Sequence, residues 1–319
     1  MQGSKSSPVS SNTKAQQHNG VTWLDVQNPG SEALAQLEKD YQLHPIHLTE
    51  CVQKVQHTQV EREENYIFLV LHFPVFEPHT DKIFAGQLGV FLGKDYIVTV
   101  HSEASPMIQN LFAEAERSPE QYFGDGSAYL LNTLISRLLA SIASMMDIVS
   151  SELDEIEALV FENNSSDAQR IGKVRQEIIR LKRLIGPKRE LLQDLAEEID
   201  SFTGQDMSKP YSTNVKTANR LWESIEEAKE TIEIYKDADF TTSTEHTNRI
   251  LAILTLVFTF TIPVTVVGTL YGTNVLLPGG LEAGSWKFLG TFTTFGMIVA
   301  FSLFIAVVMY LYFKKKHWF

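Results

Sequence analysis

The sequence predicts an α/β domain followed by long helices, the last two of which cross a membrane. Three observations indicate this fold class. Short runs rich in β-branched and aromatic residues alternate with helical segments over residues 21–125. Apolar residues then recur every three or four positions over 126–200. Two uncharged runs, 250–271 and 288–313, close the chain, and each exceeds the roughly 20 residues that a helix needs to span a bilayer.

The average composition conceals this division. The chain has 319 residues, 44% of them hydrophobic and 21% charged, and its mean hydropathy of −0.08 is that of a water-soluble protein. The net charge of −12 argues against nucleic acid as a partner and suits the attraction of cations. The single cysteine, Cys51, excludes an intrachain disulfide. Residues 1–20 lack an apolar core, so we expect a disordered tail there rather than a secretory signal.

Residues 21–125 predict a layered α/β domain. Ser31 is a candidate N-cap for a helix that continues to Tyr41. Four runs of strand length are rich in β-branched and aromatic residues. These runs are 21–26, 66–73, 88–92 and 96–100. A sheet with helices packed on it is the expected arrangement.

Residues 126–210 predict an antiparallel pair of long helices. One apolar stripe covers 130–160, a second begins at Ile171, and the polar residues 163–166 separate them. Pro187 is expected to interrupt the second helix. Acidic residues concentrate on the first helix and basic residues on the second, which we interpret as a solvated surface with cross-helix ion pairs. A regulatory cation site is the alternative.

Residues 211–271 predict a stalk helix that continues into the first membrane span. Over 215–271 the only proline is Pro263, and at about 1.5 Å per residue this helix approaches about 90 Å. We counted heptads backwards from the membrane end to define a seam, a set of positions on one helix face. The seam contains Asp237, Thr241, Thr244, Asn248, Leu251, Thr255, Phe258, Ile262, Thr265, Thr269 and Gly272.

Polar residues occupy more than half of the seam, whereas a dry coiled coil would carry Leu or Ile at nearly all of these positions. Polar side chains inside a membrane usually face a bundle interior or water. Two spans cannot enclose such an axis, so the seam predicts a homo-oligomer in the lipid bilayer. An apolar collar at Leu251, Phe258 and Ile262 would interrupt the wet axis. The alternative is a tightly packed bundle in which threonines act as small residues at helix contacts.

The tripeptide Gly272-Thr273-Asn274 is the most informative local feature. It opens a short glycine-rich connection, 272–287, between the two spans. Backbone of this kind at a membrane interface must line water or protein rather than lipid. The tripeptide is therefore the first candidate ion site.

The basic tail 314–319 follows the second span directly, whereas the connection between the spans carries only Lys287. The positive-inside rule keeps such a tail in the cytoplasm. Two spans place both ends of the chain on one side. We expect a multi-pass protein of the plasma (inner) membrane with two spans and both termini cytoplasmic. The alternative is that the lysines only solubilise the tail.

Several stretches together resemble the CorA family of divalent cation transporters. Tyr271-Gly272-Thr273-Asn274 is similar to the family signature Tyr-Gly-Met-Asn and follows the first of two C-terminal spans. The resemblance covers nearly the whole chain from Trp23 onward. The other matching stretches are Thr247-Asn248, Pro263, the ending 313–318, Leu43-His44-Pro45 and 183–190.

The resemblance implies a funnel-shaped homopentamer in which the stalk helix of each subunit continues as the pore-lining span. Gly272 and Asn274 would form an outer selectivity ring, and Asn248 would lie near the cytoplasmic end of the pore. Asp237 would contribute to a ring of carboxylates that concentrates or senses cations. Asn274 and Asp237 are thus the expected metal-binding residues. Some members carry a regulatory aspartate shortly after a Pro-Tyr pair, where this chain has Thr213-Asn214.

The resemblance also implies an apolar gate that includes Leu251 and Leu254. The heptad count selects Thr255 instead of Leu254, and a rotation of the helix by one residue reconciles the two. The heptad count and the resemblance together give the candidate pore-lining set, which is Asn248, Leu251, Leu254, Thr255, Phe258, Ile262, Thr265 and Thr269.

Mg²⁺ is the expected transported ion, with Co²⁺ and Ni²⁺ as further candidates. Mg²⁺ sheds its water reluctantly, and a ring of asparagine side chains and carbonyls can bind the hydrated ion. The membrane potential supplies about 4.6 kcal/mol for two charges across 100 mV. The sequence contains no nucleotide-binding loop, so neither a nucleotide nor a resident cofactor is expected. Thr273 and the Pro278-Gly279-Gly280 run resemble the zinc-transporting ZntB-like branch, which makes Zn²⁺ the alternative.

His44, His47 and Cys51 share one helix face and carry metal-ligand chemistry. Ordinary packing is favoured over a structural or sensing zinc site, because no fourth ligand is evident nearby. A membrane-tethered hydrolase that uses these histidines is a further alternative, but a serine elbow, HExxH and paired cysteines are all missing from the sequence. A non-conducting membrane-anchored scaffold is the third function class, and ion flux would distinguish it.

Overall fold

We analysed a computed structural model, which describes residues 13–53, 58–77, 82–102, 106–124, 126–162, 167–273, 288 and 292–315. Its described strands form one six-stranded sheet in the order β1-β2-β6-β5-β4-β3. Strands β2 and β6 are parallel, and the other neighbouring pairs are antiparallel. The strands are β1 Thr13–His18, β2 Val21–Gln27, β3 Gln59–Arg62, β4 Ile67–Glu77, β5 Lys82–Leu92 and β6 Tyr96–His101.

Two short helices cover one side of the sheet and longer helices cover the other. The helices are α1 Ser31–Tyr41, α2 Pro45–Val52, α3 Pro106–Arg117, α4 Pro119–Phe123, α5 Ser127–Glu157, α6 Ala168–Thr203, α7 Ser208–Gly272 and α8 Thr293–Lys315. A π-helical turn, Ala158–Glu162, extends α5. The chain divides into two compact units, Met1–Asp239 and Phe240–Phe319.

The sequence of strand β4 is almost continuously apolar, because both faces of the strand are buried. Successive side chains of a strand point to opposite faces. Leu69 and Leu71 enter the large core shared with α3, α5 and α6, whereas Phe68 and Val70 enter a smaller core with α1 and α2. Both faces of the sheet are therefore buried, as the sequence predicted for an α/β layer domain.

The expected disordered tail is wrong for residues 13–18, which form β1 and pair with β2. Asn19 and Gly20 connect these strands with positive φ angles of 47° and 82°. Asn-Gly is the preferred pair for a two-residue hairpin turn. Strand β1 is an edge strand, and its residues are partly or fully exposed and mostly polar. A search of the sequence for apolar runs therefore does not find it.

Two details of the predicted helices are also wrong. Gly30 rather than Ser31 is the N-cap of α1, and Ser31 is the first residue of that helix. Pro187 lies inside α6 without ending it. The stripe that α6 buries continues across the proline, through Leu184, Ile185 and Leu192, so packing outweighs the hydrogen bond that proline cannot donate.

Three described helices have the length and composition to cross a membrane, where the sequence predicted two spans. They comprise Ser127–Phe161, Ser208–Gly272 and Thr293–Lys315. The apolar window of the first is 39% buried within the protein, against 0% and 6% for the other two. The apolar face of α5 belongs to the large core, so its hydrophobicity is accounted for by packing.

Candidate functional site

Helix α7 changes character along its length. Its first part buries a stripe with spacings of three and four, whereas none of residues 240–272 is buried. This stripe comprises Tyr211, Asn214, Ala218, Leu221, Ile225, Ala228, Ile232, Tyr235 and Asp239. The second part therefore exposes a long apolar surface with threonines along it, and it contains every predicted pore-lining residue.

The seam threonines direct their hydroxyl hydrogens into their own helix. The hydroxyl of Thr255 donates to the carbonyl of Leu251 at 2.7 Å, that of Thr265 to Thr261 at 2.9 Å, and that of Thr269 to Thr265 at 2.7 Å. A hydroxyl has one hydrogen and two lone pairs. Once the hydrogen is engaged, the outward side of each hydroxyl can only accept. Water bound to a cation presents its hydrogens, so these hydroxyls match a hydrated cation.

The predicted collar residues are half-exposed apolar side chains in the single chain. Leu251, Phe258 and Ile262 are each 55% exposed, and Leu254 is also exposed. Neighbouring residues of a helix point about 100° apart. Leu254 and Thr255 therefore lie on different parts of the exposed surface, and both remain in the candidate set together with Asn248.

Gly272 is the last residue of α7, and Thr273 closes its final turn. The amide and hydroxyl of Thr273 both donate to the carbonyl of Leu270, at 3.2 and 2.6 Å. Among the described residues, a Cβ atom added at Gly272 would meet no other atom within 4 Å, so packing against them does not require glycine there. Asn274 lies outside the described residues, and its role in selectivity stays a prediction.

Asp237 lies on the exposed face of α7, with its side chain 78% exposed. Lys236 approaches it to 3.5 Å and also binds Glu233 at 2.5 Å. The hydrogen bonds from Lys236 and then from Arg175 lower the pKa of Glu233 to about 2. Glu233 thus holds Lys236 more closely than Asp237 does, and the exposed carboxylate of Asp237 faces solvent.

The predicted cross-helix ion pairs are present, and they extend to α7. Arg170 of α6 donates to Glu152 of α5 at 2.9 Å. Arg175 of α6 donates to Glu233 of α7 at 2.5 Å, which the sequence did not anticipate. The further described pairs between these helices join Arg170 to Glu155 and Lys182 to Glu226.

Asn214, which follows the Pro210-Tyr211 pair, has a structural role in this chain. It is 4% exposed and accepts a hydrogen bond from Ser136 at 2.9 Å. Its amide group donates to the side chain of Asn132, also at 2.9 Å. An amide supplies both the donor and the acceptor that tie α7 to α5, which a carboxylate cannot.

The His44, His47 and Cys51 set does not form a metal site. His44 caps α2 by accepting from the amide of Ile46, and both ring nitrogens of His47 are engaged, with Tyr66 at 2.8 Å and Glu61 at 3.0 Å. Cys51 is buried, and burial raises the pKa of its thiol. Among the described residues, no cluster of three or more His, Cys, Asp or Glu side chains could hold a metal ion.

Lys188 was missed by the sequence analysis. It is 2% exposed, and burial lowers the pKa of its ammonium group to about 7. Periodicity could have identified it, because Lys188 continues the buried stripe of Leu181, Leu184 and Ile185 toward Leu192. A lysine at a position of the apolar stripe departs from the helical pattern, and this departure can be recognised in the sequence.

Comparison with known proteins identifies the family. A family profile described as "CorA-like Mg2+ transporter protein" matches residues 18–315, nearly the whole chain. The chain belongs to the CorA family. It is therefore a membrane transporter of divalent cations and not an enzyme, as the resemblance implied.

Individual relatives are distant in sequence and similar in fold. The chain is 22% identical over 300 residues to the cobalt/magnesium transport protein CorA of Thermotoga maritima, covering 93% of this chain and 83% of that relative. The CorA magnesium transporter of Methanocaldococcus jannaschii superposes with a TM-score of 0.77 at 20% identity, covering 94% of this chain and 92% of that one. The cytoplasmic domain of ZntB from Vibrio parahaemolyticus gives 0.58 at 16% identity, with 70% and 88% covered.

Proposed function

We propose that this CorA-family protein is a homopentameric channel that takes up Mg²⁺ down the membrane potential. The observation that carries the proposal is the second part of α7. Its exposed surface combines hydroxyls that can only accept with apolar side chains at Leu251, Phe258 and Ile262. Copies of such a helix around an axis would form a pathway for a hydrated cation, closed by an apolar collar.

Two segments would span the membrane, residues 250–271 of α7 and helix α8, with both termini in the cytoplasm. Helix α5 would remain outside the membrane in the first compact unit, Met1–Asp239, which we call the soluble unit, because its apolar face is already buried in the core. Lys314 and Lys315 end α8 and support a cytoplasmic C-terminus. The plasma (inner) membrane is the proposed location.

Selectivity would rest on Gly272, Thr273 and Asn274 at the outer end of the pathway. The bonds of Thr273 to Leu270 fix the backbone that leads into Asn274. A ring of Asn274 side chains, one from each subunit, would bind the water molecules around a hydrated ion without removing them. This suits Mg²⁺, which holds its hydration shell strongly. Asp237, far from this ring along α7, would concentrate divalent ions by its exposed carboxylate.

The proposed lining presents oxygen atoms that can only accept hydrogen bonds. It favours Mg²⁺ over Co²⁺ and Ni²⁺ as the cargo, because oxygen ligands and retained water are typical of magnesium sites. The name of the Thermotoga relative, a cobalt/magnesium transport protein, supports a divalent cargo and includes both magnesium and cobalt. Zn²⁺ transport is the alternative. It is supported by Thr273 in the signature, by the Pro278-Gly279-Gly280 run and by the fold shared with the ZntB cytoplasmic domain.

Ion flux into liposomes tests the proposal. The purified full-length protein is reconstituted, and Mg²⁺, Zn²⁺, Co²⁺ and Ni²⁺ are supplied separately with and without an inside-negative potential. We expect Mg²⁺ entry that increases with the potential. Faster Zn²⁺ entry would support the alternative cargo. If no ion enters the liposomes, a non-conducting membrane-anchored scaffold is the function class that remains. Native mass spectrometry in mild detergent tests the stoichiometry, which a stable monomer or dimer would contradict.

A further inference from the structure

Lys188 lines an apolar pocket between the sheet and the helices. Leu71 of β4, Ile135 and Leu138 of α5, and Leu191 and Leu192 of α6 line this pocket with it. The ammonium nitrogen donates to the carbonyl of Leu184 at 2.7 Å. A protonated lysine carries three donors. No second acceptor contacts it among the described residues, so the charged form leaves donors unsatisfied and costs free energy.

No ionisable side chain in the described lining compensates the charge. Apart from Lys188 itself, every lining residue contributed by β4, α5 and α6 is apolar. His72, next to Leu71, points to the opposite face of the sheet, because strand side chains alternate. Arg137 of α5 is directed to Glu114 at 2.8 Å, and Glu190 of α6 is exposed. Burial is accordingly the cause that brings the pKa of Lys188 to about 7.

The residues on either side of Lys188 connect this pocket to α7. Trp222 of α7 packs so closely over Gly186 that a Cβ atom there would lie 3.1 Å from its ring. The guanidinium of Arg189 lies 5.0 Å from the centre of the same ring, and so does the ammonium of Lys182. Such cation–aromatic contacts are directional. A displacement of α6 at Lys188 must therefore alter its contact with Trp222.

Helix α6 is locally deformable at this point. Pro187 has no amide hydrogen to donate to the carbonyl of Arg183, so the helix lacks one hydrogen bond next to Lys188. Kinks and small shifts of helices concentrate where the ladder is incomplete. A charge that appears in the pocket can thus move α6 without breaking further hydrogen bonds.

We propose that Lys188 is a proton-sensing residue that couples the pH around the soluble unit to α7, and so to ion transport. With Lys188 neutral, α6 packs on the sheet and holds Trp222. Protonation places an uncompensated charge in the apolar pocket and shifts α6 and its contact with Trp222. The coupling to flux rests on the proposed transport function, whereas the proton-sensing behaviour of Lys188 does not.

The first test needs no transport. Between the pKa of about 7 in the folded chain and 10.5 in the unfolded chain, the unfolded chain binds the additional proton, so stability rises with pH in this window. We expect the Tm of the full-length protein in detergent to rise from pH 7 to 10. Lys188→Met should have a higher Tm than wild type at pH 7 and a reduced slope with pH. Lys216→Met, which removes an exposed lysine of the same unit, should keep the wild-type slope. Equal slopes in wild type and Lys188→Met would overturn the proposal.

Wild-type protein provides a check that does not depend on the folding of a variant. Lysine labelled with ¹³C at Cε is followed by NMR as the pH is raised. One resonance that titrates near pH 7 is expected, and titration of every lysine near 10.5 would overturn the proposal. The resonance should be missing from the spectrum of Lys188→Met.

Flux then tests the coupling. Proteoliposomes are loaded with a Mg²⁺ indicator. The solution on the side of the membrane that carries the soluble unit is set to pH values from 6 to 8. We expect wild-type flux to change at least twofold with a midpoint near pH 7, and Lys188→Met to stay at the high-pH value. Trp222→Leu should keep the pH slope of Tm and lose the pH response of flux. An identical pH response in wild type and Lys188→Met would overturn the coupling, whereas absence of flux at every pH would contradict the transport function itself.

Discussion

The two parts of α7 show how one helix can be stabilised in two different ways. Up to Asp239 the helix buries a stripe in the core of its own unit, and ion pairs from α6 hold its polar side. Over residues 240–272 no residue is fully buried, although this part is the more hydrophobic. The first part is packed within a single chain, whereas the proposed membrane and oligomer would cover the surface of the second.

This difference also separates the chemistry of the two parts. In the first part, Asn214 is paired with Ser136 and Asn132 of another helix, whereas Thr217 and Thr231 bond to their own helix. The threonines of the second part bond to their own backbone, which satisfies their hydrogens while their lone pairs face outward. Substitutions in the first part should therefore change stability, and substitutions in the second should change transport.

The largest effect is expected at the outer end of the second part. Asn274→Ala should lower selective Mg²⁺ flux at least tenfold, because each subunit loses an amide that can bind cation-bound water. Flux of each divalent ion into proteoliposomes measures this, and native mass spectrometry verifies that assembly is intact. Leu276→Ala in the same connection is the control and should transport normally. Unchanged rate and ion preference in Asn274→Ala would make the selectivity assignment wrong.

The collar is the next strongest test. Leu251→Asn should raise flux severalfold even at high internal Mg²⁺, because a polar ring keeps the constriction hydrated. Ile253→Asn introduces the same side chain about 160° around the helix and should not open the pathway. Flux is measured at high and low internal Mg²⁺, with the amount of assembled protein as normalisation. If Leu251→Asn matches wild type under both conditions, the collar is not the gate.

A stability measurement tests the other side of the comparison. Ile225 is fully buried in the first part of α7. Ile225→Ala should lower the free energy of unfolding by about 2–5 kcal/mol, because it leaves a cavity in the core. Ile253→Ala in the second part should leave the unfolding of the soluble unit unchanged, as followed by thermal denaturation in detergent. Similar losses for the two variants would show that the two parts are not independent in stability.

The smallest effect is expected at Asp237, where the two parts meet along the sequence. Asp237→Asn should reduce flux or weaken its inhibition by internal divalent ions about two- to threefold, because it removes one exposed carboxylate per subunit. Asp194→Asn, an exposed position on α6, controls for the change in net charge. A dose–response of flux to internal Mg²⁺ that coincides for wild type and Asp237→Asn would assign Asp237 to the solvated surface alone.

The sequence by itself determined the features that depend on local periodicity and on motifs. The apolar stripes of α5 and α6, the runs at β2, β4, β5 and β6, and the long uncharged segments are all visible in one dimension. The signature around Gly272 and the matching stretches were sufficient to indicate the CorA family, which the family profile confirmed. Most of the pore-lining set came from the heptad spacing and Leu254 came from the family resemblance, and the set stays a prediction.

Only the tertiary structure decided which of the local sequence patterns the fold follows and which it overrides. Strand β1 is polar and became visible only through its pairing with β2, and Pro187 was accommodated because its flanking residues are buried. The engagement of both His47 nitrogens excluded a metal role that residue type had suggested. The environment of Lys188 is built by residues from β4, α5 and α6 that are distant in sequence. Desolvation and hydrogen-bond partners depend on such assembled surroundings, so they cannot be deduced from residue type or spacing.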